Sequence, residues 1–241
     1  MIVSINQPAY LPWLGYFDRI AASDLHVVLD TVQFEKNSFV NRNRVRTQQG
    51  AAWLTVPVAT SGRFGALPIM DIEIAPDPRW ANKHWQTLIQ SYARAPYFSA
   101  HRDFFAAIYA RPWQRLVELI DPITAHLCAA FGIGTRTVRA SALAVDGRKD
   151  DLVLAICRKV GATTYLSGPL GRDYLDEGKF AAAGIAVRYA DYAHPTYKQA
   201  HPGFLPFMAA IDLLFMAGPD AGGMLRTTAR EAPGVAARVN D

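Results

Sequence analysis

A short β-rich run, IVSIN, ends at Gln7, and a loop through Pro8, Tyr10 and Pro12 leads into a helix that begins near Trp13, with Gly15 in its first turn. The first N–H groups of a helix have no partner within it, so a helix start aimed at the carboxyl ends of parallel strands is where phosphates and nucleotides bind. Gly15 removes a side chain where a ring or a phosphate would approach. The aromatics Tyr10, Trp13, Tyr16 and Phe17 form either the walls of such a pocket or plain core, with Gly15 then a helix contact.

A second stretch, LDTVQFEKNSFVNRNRVR, runs from a hydrophobic strand into Asp30, Gln33 and Lys36, and then into Asn41, Arg42, Asn43, Arg44 and Arg46. Arginines interleaved with amides are bidentate donors for phosphate or carboxylate, although a solvated loop face would read the same way. Asp30 at the strand's end either holds a metal ion or a substrate amine, or caps the following turn. In a third stretch, TTYLSGPLGRDYLD, Ser167 and the backbone from Gly168 resemble an anion cradle, with Arg172 as counter-charge. No GK[ST] follows, so this is not a Walker A loop. YADYAHPTYKQ then places Asp191, Tyr192, His194, Tyr197, Lys198 and Gln199 past another strand end, facing the same crevice if the sheet is parallel.

Of the 6 histidines, His84 and His194 are the acid/base candidates, and His26 alternates into a strand as packing. The sequence has no HExxH or GxSxG motif and no recognisable Cys–His constellation, which disfavours zinc proteases, serine hydrolases and cysteine proteases. Cys128 and Cys157 lie far apart in apolar segments and read as inert thiols. No ligand set suggests a resident metal.

The elements that must position these residues fall into four blocks. Met1 to Asn43 reads strand, loop, helix, strand, the opening of a parallel α/β sheet. Val45 to Ile74 contains WLTVPV and MDIEI, two strand-like runs around the Gly-rich turn SGRFGALP, and predicts a small antiparallel insertion. Arg79 to Phe131 has long helical periodicities and predicts a helical lobe. The last block returns to α/β with TVRAS, a helix DDLVLAICRKV closed by Gly161, TTYLSG, a short helix near KFAAAG, and IAVRYAD. A final helix is expected over PFMAAIDLLFMAG. The expected fold is α/β with an open, mostly parallel Rossmann-like sheet. It forms a single domain over 1–218, with the β insertion at 45–75, the helical lobe at 79–131, and a partly mobile tail over 219–241.

The chain has 241 residues, 51% hydrophobic and 19% charged, enough apolar material for a core without disulfides and too little charge for disorder. Its best apolar stretch, Phe204 to Ala217, is interrupted by Pro206 and Asp212, so no membrane span is expected. The start lacks a basic n-region and a cleavage site, which reads as a cytoplasmic protein. The excess of 25 basic over 21 acidic residues, without a Lys/Arg run, suggests a local anion pocket and no nucleic-acid partner.

Taken together, these stretches resemble the WbqC-like protein family nearly end to end, through QPAYLPWLGYFDRIAASD, LDTVQFEKNSFVNRNRV, WLTVPV, KHWQTLIQSYARAPYF, TTYLSGPLGRDYLD, FAAAGIAVRYADY and the PTYKQ…IDLLF ending. The likeness carries over onto Gln7, Tyr10, Trp13, Asp30, Gln33, Lys36, Asn41 and Arg42. It implies an enzyme of surface-polysaccharide or related biosynthesis that attaches an acyl or aminoacyl group, such as glycine, to an amine on a nucleotide-linked sugar or similar metabolite. The sequence departs from the family pattern around MAAIDLLF and at Met216, which would alter the acceptor if those positions line the site. The N-terminal region also resembles the HIGH-motif nucleotidyltransferases, pantothenate synthetase especially, with Trp13-Leu14-Gly15-Tyr16 at the motif position but without its histidines.

The expected activity is therefore amide formation with ATP and Mg2+ on a small-molecule substrate, with a homo-oligomer left open. Asp30, His84, Lys36 and Arg42 are the expected catalytic residues. Binding is expected from Gln7, Tyr10, Trp13, Gln33, Asn41, Asn43, Arg44, Ser167, Gly168, Arg172, His194, Tyr197 and Gln199. The alternatives are an acyltransferase using a thioester donor and a non-catalytic protein that binds nucleotide sugars or partners.

Overall fold

The structure, a computed structural model, describes residues 1–60, 67–77 and 79–226. Its strands are β1 (Ile2–Asn6), β2 (Leu25–Val28), β3 (Arg42–Thr47), β4 (Gly50–Thr55), β5 (Arg136–Arg139), β6 (Thr164–Ser167) and β7 (Ala186–Tyr189). Five of them form an open parallel sheet in the order β5-β2-β1-β6-β7, while β3 and β4 pair separately as an antiparallel hairpin. The chain winds outward from β1 through β2 to β5, crosses back to β6, and continues to β7. The order therefore reverses between β1 and β6, where Val3 pairs with Tyr165 and Ser4 with Leu166. In such sheets the helices on either side of the reversal diverge and leave a crevice beyond the carboxyl ends of the strands.

Helices α1 (Leu14–Ala21), α2 (Arg79–Tyr92), α3 (Phe98–Ala110), α4 (Leu116–Ala130), α5 (Lys149–Val160), α6 (Glu177–Ala182), α7 (Ile211–Ala217) and α8 (Ala221–Leu225) cover the sheet and build the lobe. One face, with Val3, Ile5, Leu25 and Val27, packs against Leu152, Val153 and Ile156 of α5 and Phe180 of α6. Gly161 ends α5 at φ +73°, the left-handed conformation that glycine adopts without strain. On the other side, Leu14, Phe17 and Ile20 of α1 join a larger core shared with α2, α3, α4, the hairpin, α7 and α8. Each of these fully buried side chains contributes about 1.5–3 kcal/mol of transfer free energy. His26 lies within this packing, 2.9 Å from the Ser4 hydroxyl and against the Tyr16 ring, and burial pushes its pKa down to about 3.

Three sequence expectations differ from the structure. WLTVPV pairs along its length backward with RNRVRT through the tight turn at Gln48 and Gln49, and meets MDIEI only at its end, in the antiparallel bridge of Val58 with Ile74. RNRVRT alternates buried Asn43 and Val45 with half-buried Arg42 and Arg44, and Arg46 is buried as well, so the strand shows little hydrophobic alternation. Ile69 and Ile72 are both buried three residues apart, a spacing that a 3-10 turn over Ile69–Asp71 satisfies and a strand does not. The Gly-rich turn at 61–66 lies outside the described residues.

The last long helix starts at Ile211, after the expected PFMAA segment. Ala209 N donates to the Arg44 carbonyl and Ala210 N to the Pro12 carbonyl, so this segment runs as a bridge beside Trp13. Packing continues past 218: Leu225 is buried, and a Cβ on Gly222 would press on the Phe131 carbonyl. Residues 227–241 of the expected tail lie outside the described residues.

Candidate active site

A cavity of about 860 Å³ opens where β1, β6 and β7 end, at the reversal of strand order. Its floor includes Asn6, Gln7 and Ser167, and its walls come from the start of α1, the loop after β6, residues 37–40, and Asp191 and Tyr192 after β7. Its size suits a substrate-sized ligand. Trp13 at the start of α1 is extended and makes no side-chain capping bond, so the helix meets the cavity uncapped. That end carries partial positive charge and backbone donors.

Gly15 and Arg19, one turn apart, put α1 onto the cavity. A Cβ on Gly15 would come within 2.9 Å of the Tyr192 ring, which therefore packs directly on the helix start. A Cβ on Gly168 would fall well inside contact distance of the Arg19 guanidinium, and one on Gly171 inside that of the Ser167 hydroxyl. The two glycines thus let a guanidinium and a hydroxyl lie against the loop backbone. Burial lowers the pKa of Arg19 from its ordinary value, although arginine stays charged.

The mouth is aromatic. Trp13 packs on Phe39 and Phe39 on Trp53, with ring centroids 5.3 and 5.9 Å apart. The Arg42 guanidinium sits 4.4 Å from the Trp53 ring centroid. Phe39, Leu170 and Phe207 are exposed at the rim.

Of the residues expected from the sequence, Gln7, Trp13, Ser167 and Gly168 line the cavity. Asp30 is fully buried elsewhere, accepting from the Ser141 N–H and hydroxyl and pairing with Arg139 at 3.0 Å, a clamp between the ends of β2 and β5. His84 is enclosed in the helical lobe, 2.9 Å from the Tyr10 hydroxyl, which is itself 2.6 Å from Tyr109. Burial pushes the His84 pKa down to about 4. Both lie outside the lining, so neither meets a ligand there.

The arginine cluster is likewise structural in position. Arg42 donates to the Asn37 side chain and carbonyl, Asn41 to the Val56 carbonyl, Asn43 to the Leu11 carbonyl at 2.5 Å, and Arg44 to the Phe207 carbonyl. These bonds fasten the hairpin and the 37–40 segment to the loop after β1. Gln33 clamps Leu67, and Lys36 is exposed outside the lining. Arg172 turns away onto the Tyr189 ring, 4.1 Å from its centroid. His194 is held between the Pro195 carbonyl and the Phe207 N–H. Tyr197 and Gln199 donate to buried Asp212, as does Tyr92, and burial raises the pKa of that carboxyl.

Sequence reasoning missed Asn6, Arg19, Phe39 and Tyr174, and Asp191 emerges as an exposed carboxylate of the lining. The signal for Arg19 was its spacing: a cation four residues after Gly15 shares that glycine's helix face. The positions that depart from the family pattern, Ala209, Ala210 and Met216, pack in the core and do not line the cavity. Burial raises the Cys128 and Cys157 thiols to about 11 and 12, which keeps them protonated. Among the described residues, no group of three or more His, Cys, Asp or Glu could hold a metal ion, and no helix is long and apolar enough to cross a membrane.

The model of the WbqC-like protein family matches residues 7–223. The uncharacterized protein Rv1507c of Mycobacterium tuberculosis (strain ATCC 25618 / H37Rv) is 36% identical over 226 residues, covering 93% of this chain and 97% of that protein. No solved structure matches the chain.

Proposed function

The chain belongs to the WbqC-like protein family, and from that premise we propose that it is a cytoplasmic amide-forming enzyme. It joins an amino acid or other acyl group to an amine on a nucleotide-linked sugar or related metabolite, with ATP activating the carboxylate. The observation that carries this reading is the cavity at the strand-order reversal, with the uncapped start of α1 at its edge. A parallel sheet of this order places phosphorylated ligands there because backbone donors and the helix dipole converge on that point.

In this reading a carboxylate oxygen of the acyl donor attacks the α-phosphorus of ATP and pyrophosphate leaves. The amine nitrogen then attacks the acyl carbon, AMP departs, and the amine gives up its proton. Asp191 is the lining carboxylate able to hold the ammonium and take that proton, a role that buried Asp30 and enclosed His84 are not placed to fill. Mg2+ would be held by the ATP phosphates and water, with Asp191 kept for the amine. Trp13, Tyr192 and Phe39 supply apolar walls, and positioning two substrates in one cavity removes much of the barrier without a covalent nucleophile.

The deciding experiment supplies ATP and Mg2+ with an amino acid and an amino-sugar nucleotide and follows pyrophosphate release. Pyrophosphate formed in step with amide supports the ligase. Amide formed only from an acyl thioester, without ATP consumption, would replace it with the acyltransferase, and binding without turnover would replace it with a non-catalytic binding protein.

A further inference from the structure

We infer that Arg19, with Asn6 and the start of α1, forms a built subsite for a phosphate group, and that Gly168 is glycine in order to hold that arginine in place. This deepens the reading above, resting on it for the choice of phosphate as the ligand.

Three observations carry the inference independently of strand order. Arg19 lines the cavity, makes no ion pair with any described residue, and its Nε is sealed from solvent without a hydrogen-bond partner. Asp18, its neighbour in sequence, acts on it through its charge. A cation withdrawn from water without an ion-pair partner is costly to maintain, and an anionic ligand would offset that cost. Asn6 is only 6% exposed, lies in the cavity floor at the end of β1, and its side-chain nitrogen has no partner. An unpaired buried donor in a cavity wall is a donor kept for something that occupies the cavity. Thirdly, Arg19 stands one turn after Gly15 on the cavity side of α1 and its guanidinium lies against Gly168, so it shares the cavity with the backbone donors of the uncapped helix start. Guanidinium, amide and helix start then present donors from three directions. That set suits a multiply charged, tetrahedral oxyanion better than a planar carboxylate, which one bidentate arginine satisfies.

The loop after β6 completes the device. Gly168 has φ −73° and ψ 165°, a conformation open to any residue, so its lack of a side chain serves no backbone need. A Cβ there would displace the guanidinium.

Calorimetric titration of the full chain with pyrophosphate, AMP and sodium acetate tests this without turnover, so a failed ligase assay leaves it standing. The expected result is that pyrophosphate and AMP bind and acetate does not, and that Arg19→Met weakens the phosphate ligands by roughly tenfold to a hundredfold. Arg19→Met without ligand melts no lower than the unmodified chain, because the burial penalty on the charge is the largest effect acting on it and is removed with it. Gly168→Ala retains the charge but displaces it, and it weakens binding by a similar factor. Should Arg19→Met fail to fold, Gly168→Ala alone decides. Unchanged pyrophosphate affinity in a folded variant would overturn the inference, as would acetate binding in preference to pyrophosphate.

Discussion

The Tyr10 hydroxyl and the His84 ring nitrogen Nδ1 lie 2.9 Å apart in the core, and the bond ties the loop after β1 to the middle of α2. Tyr109 extends the chain on one side, and the Thr55 carbonyl meets the imidazole on the other. Burial keeps the ring neutral, and with a neutral ring the network is satisfied when Tyr109 donates to Tyr10, Tyr10 to Nδ1, and the other ring N–H to Thr55. It anchors the loop whose neighbouring residues Gln7 and Trp13 line the cavity, so it acts on the site through position alone.

Tyr10→Phe therefore removes the partner of two buried polar atoms and costs about 1–3 kcal/mol of stability. Chemical denaturation should show a lower midpoint, while activity per folded molecule stays unchanged. Loss of activity at full stability would instead place Tyr10 in the chemistry.

Stability should fall as pH drops from about 6.5 to about 4. His84 at about 4 and His26 at about 3 stay neutral in the folded chain while the unfolded chain takes up protons, so the unfolded state gains with each step downward. The His84 contribution alone is on the order of 3 kcal/mol across the window. Thermal melts at pH 7, 5.5 and 4.5 would show it, and His84→Gln should flatten the profile.

Asp30→Asn should destabilise the fold by about 3 kcal/mol, since it breaks a buried ion pair and disturbs two bonds from Ser141. Arg139 keeps Asp121 as a second partner, which limits the loss. Pyrophosphate affinity of the folded fraction should be unchanged.

Asp191→Asn tests the proposed amine site. The expected result is a drop in kcat of about 10²-fold or more with little change in stability or in the apparent affinity for ATP. A variant that turns over normally would remove Asp191 from proton transfer.

The sheet was legible from the sequence because IVSIN, LHVV and TYLS are compact apolar runs and the intervening helices carry 3.6-residue spacing. The hairpin partner was not, because RNRVRT buries Asn43 and Val45 on one face, and a half-polar inner face gives little hydrophobic signal. Gln7, Trp13, Ser167 and Gly168 were found by their place at strand ends. Asp30, Arg42 and Arg172 stood at strand ends too, yet neighbours elsewhere in the chain claimed them: Arg139 for the first, Asn37 for the second and the Tyr189 ring for the third. Sequence shows which groups could bind an anion. Whether a group is already occupied depends on tertiary partners.

The pairing of β1 with β6 joins residues about 160 positions apart, and the N-terminal ammonium of Met1 donates to Thr163 at the same seam. Sequence-distant contacts of this kind form late, because closing so long a loop costs entropy before the contact returns anything. During synthesis, β1 has β2 and α1 for company, but its other edge waits for most of the chain to be made. A chain truncated before residue 164 would expose that edge as a template for aggregation, and it would have only one wall of the cavity. Ligand binding should therefore be among the last properties acquired in refolding, appearing only after the secondary structure has reached its final content.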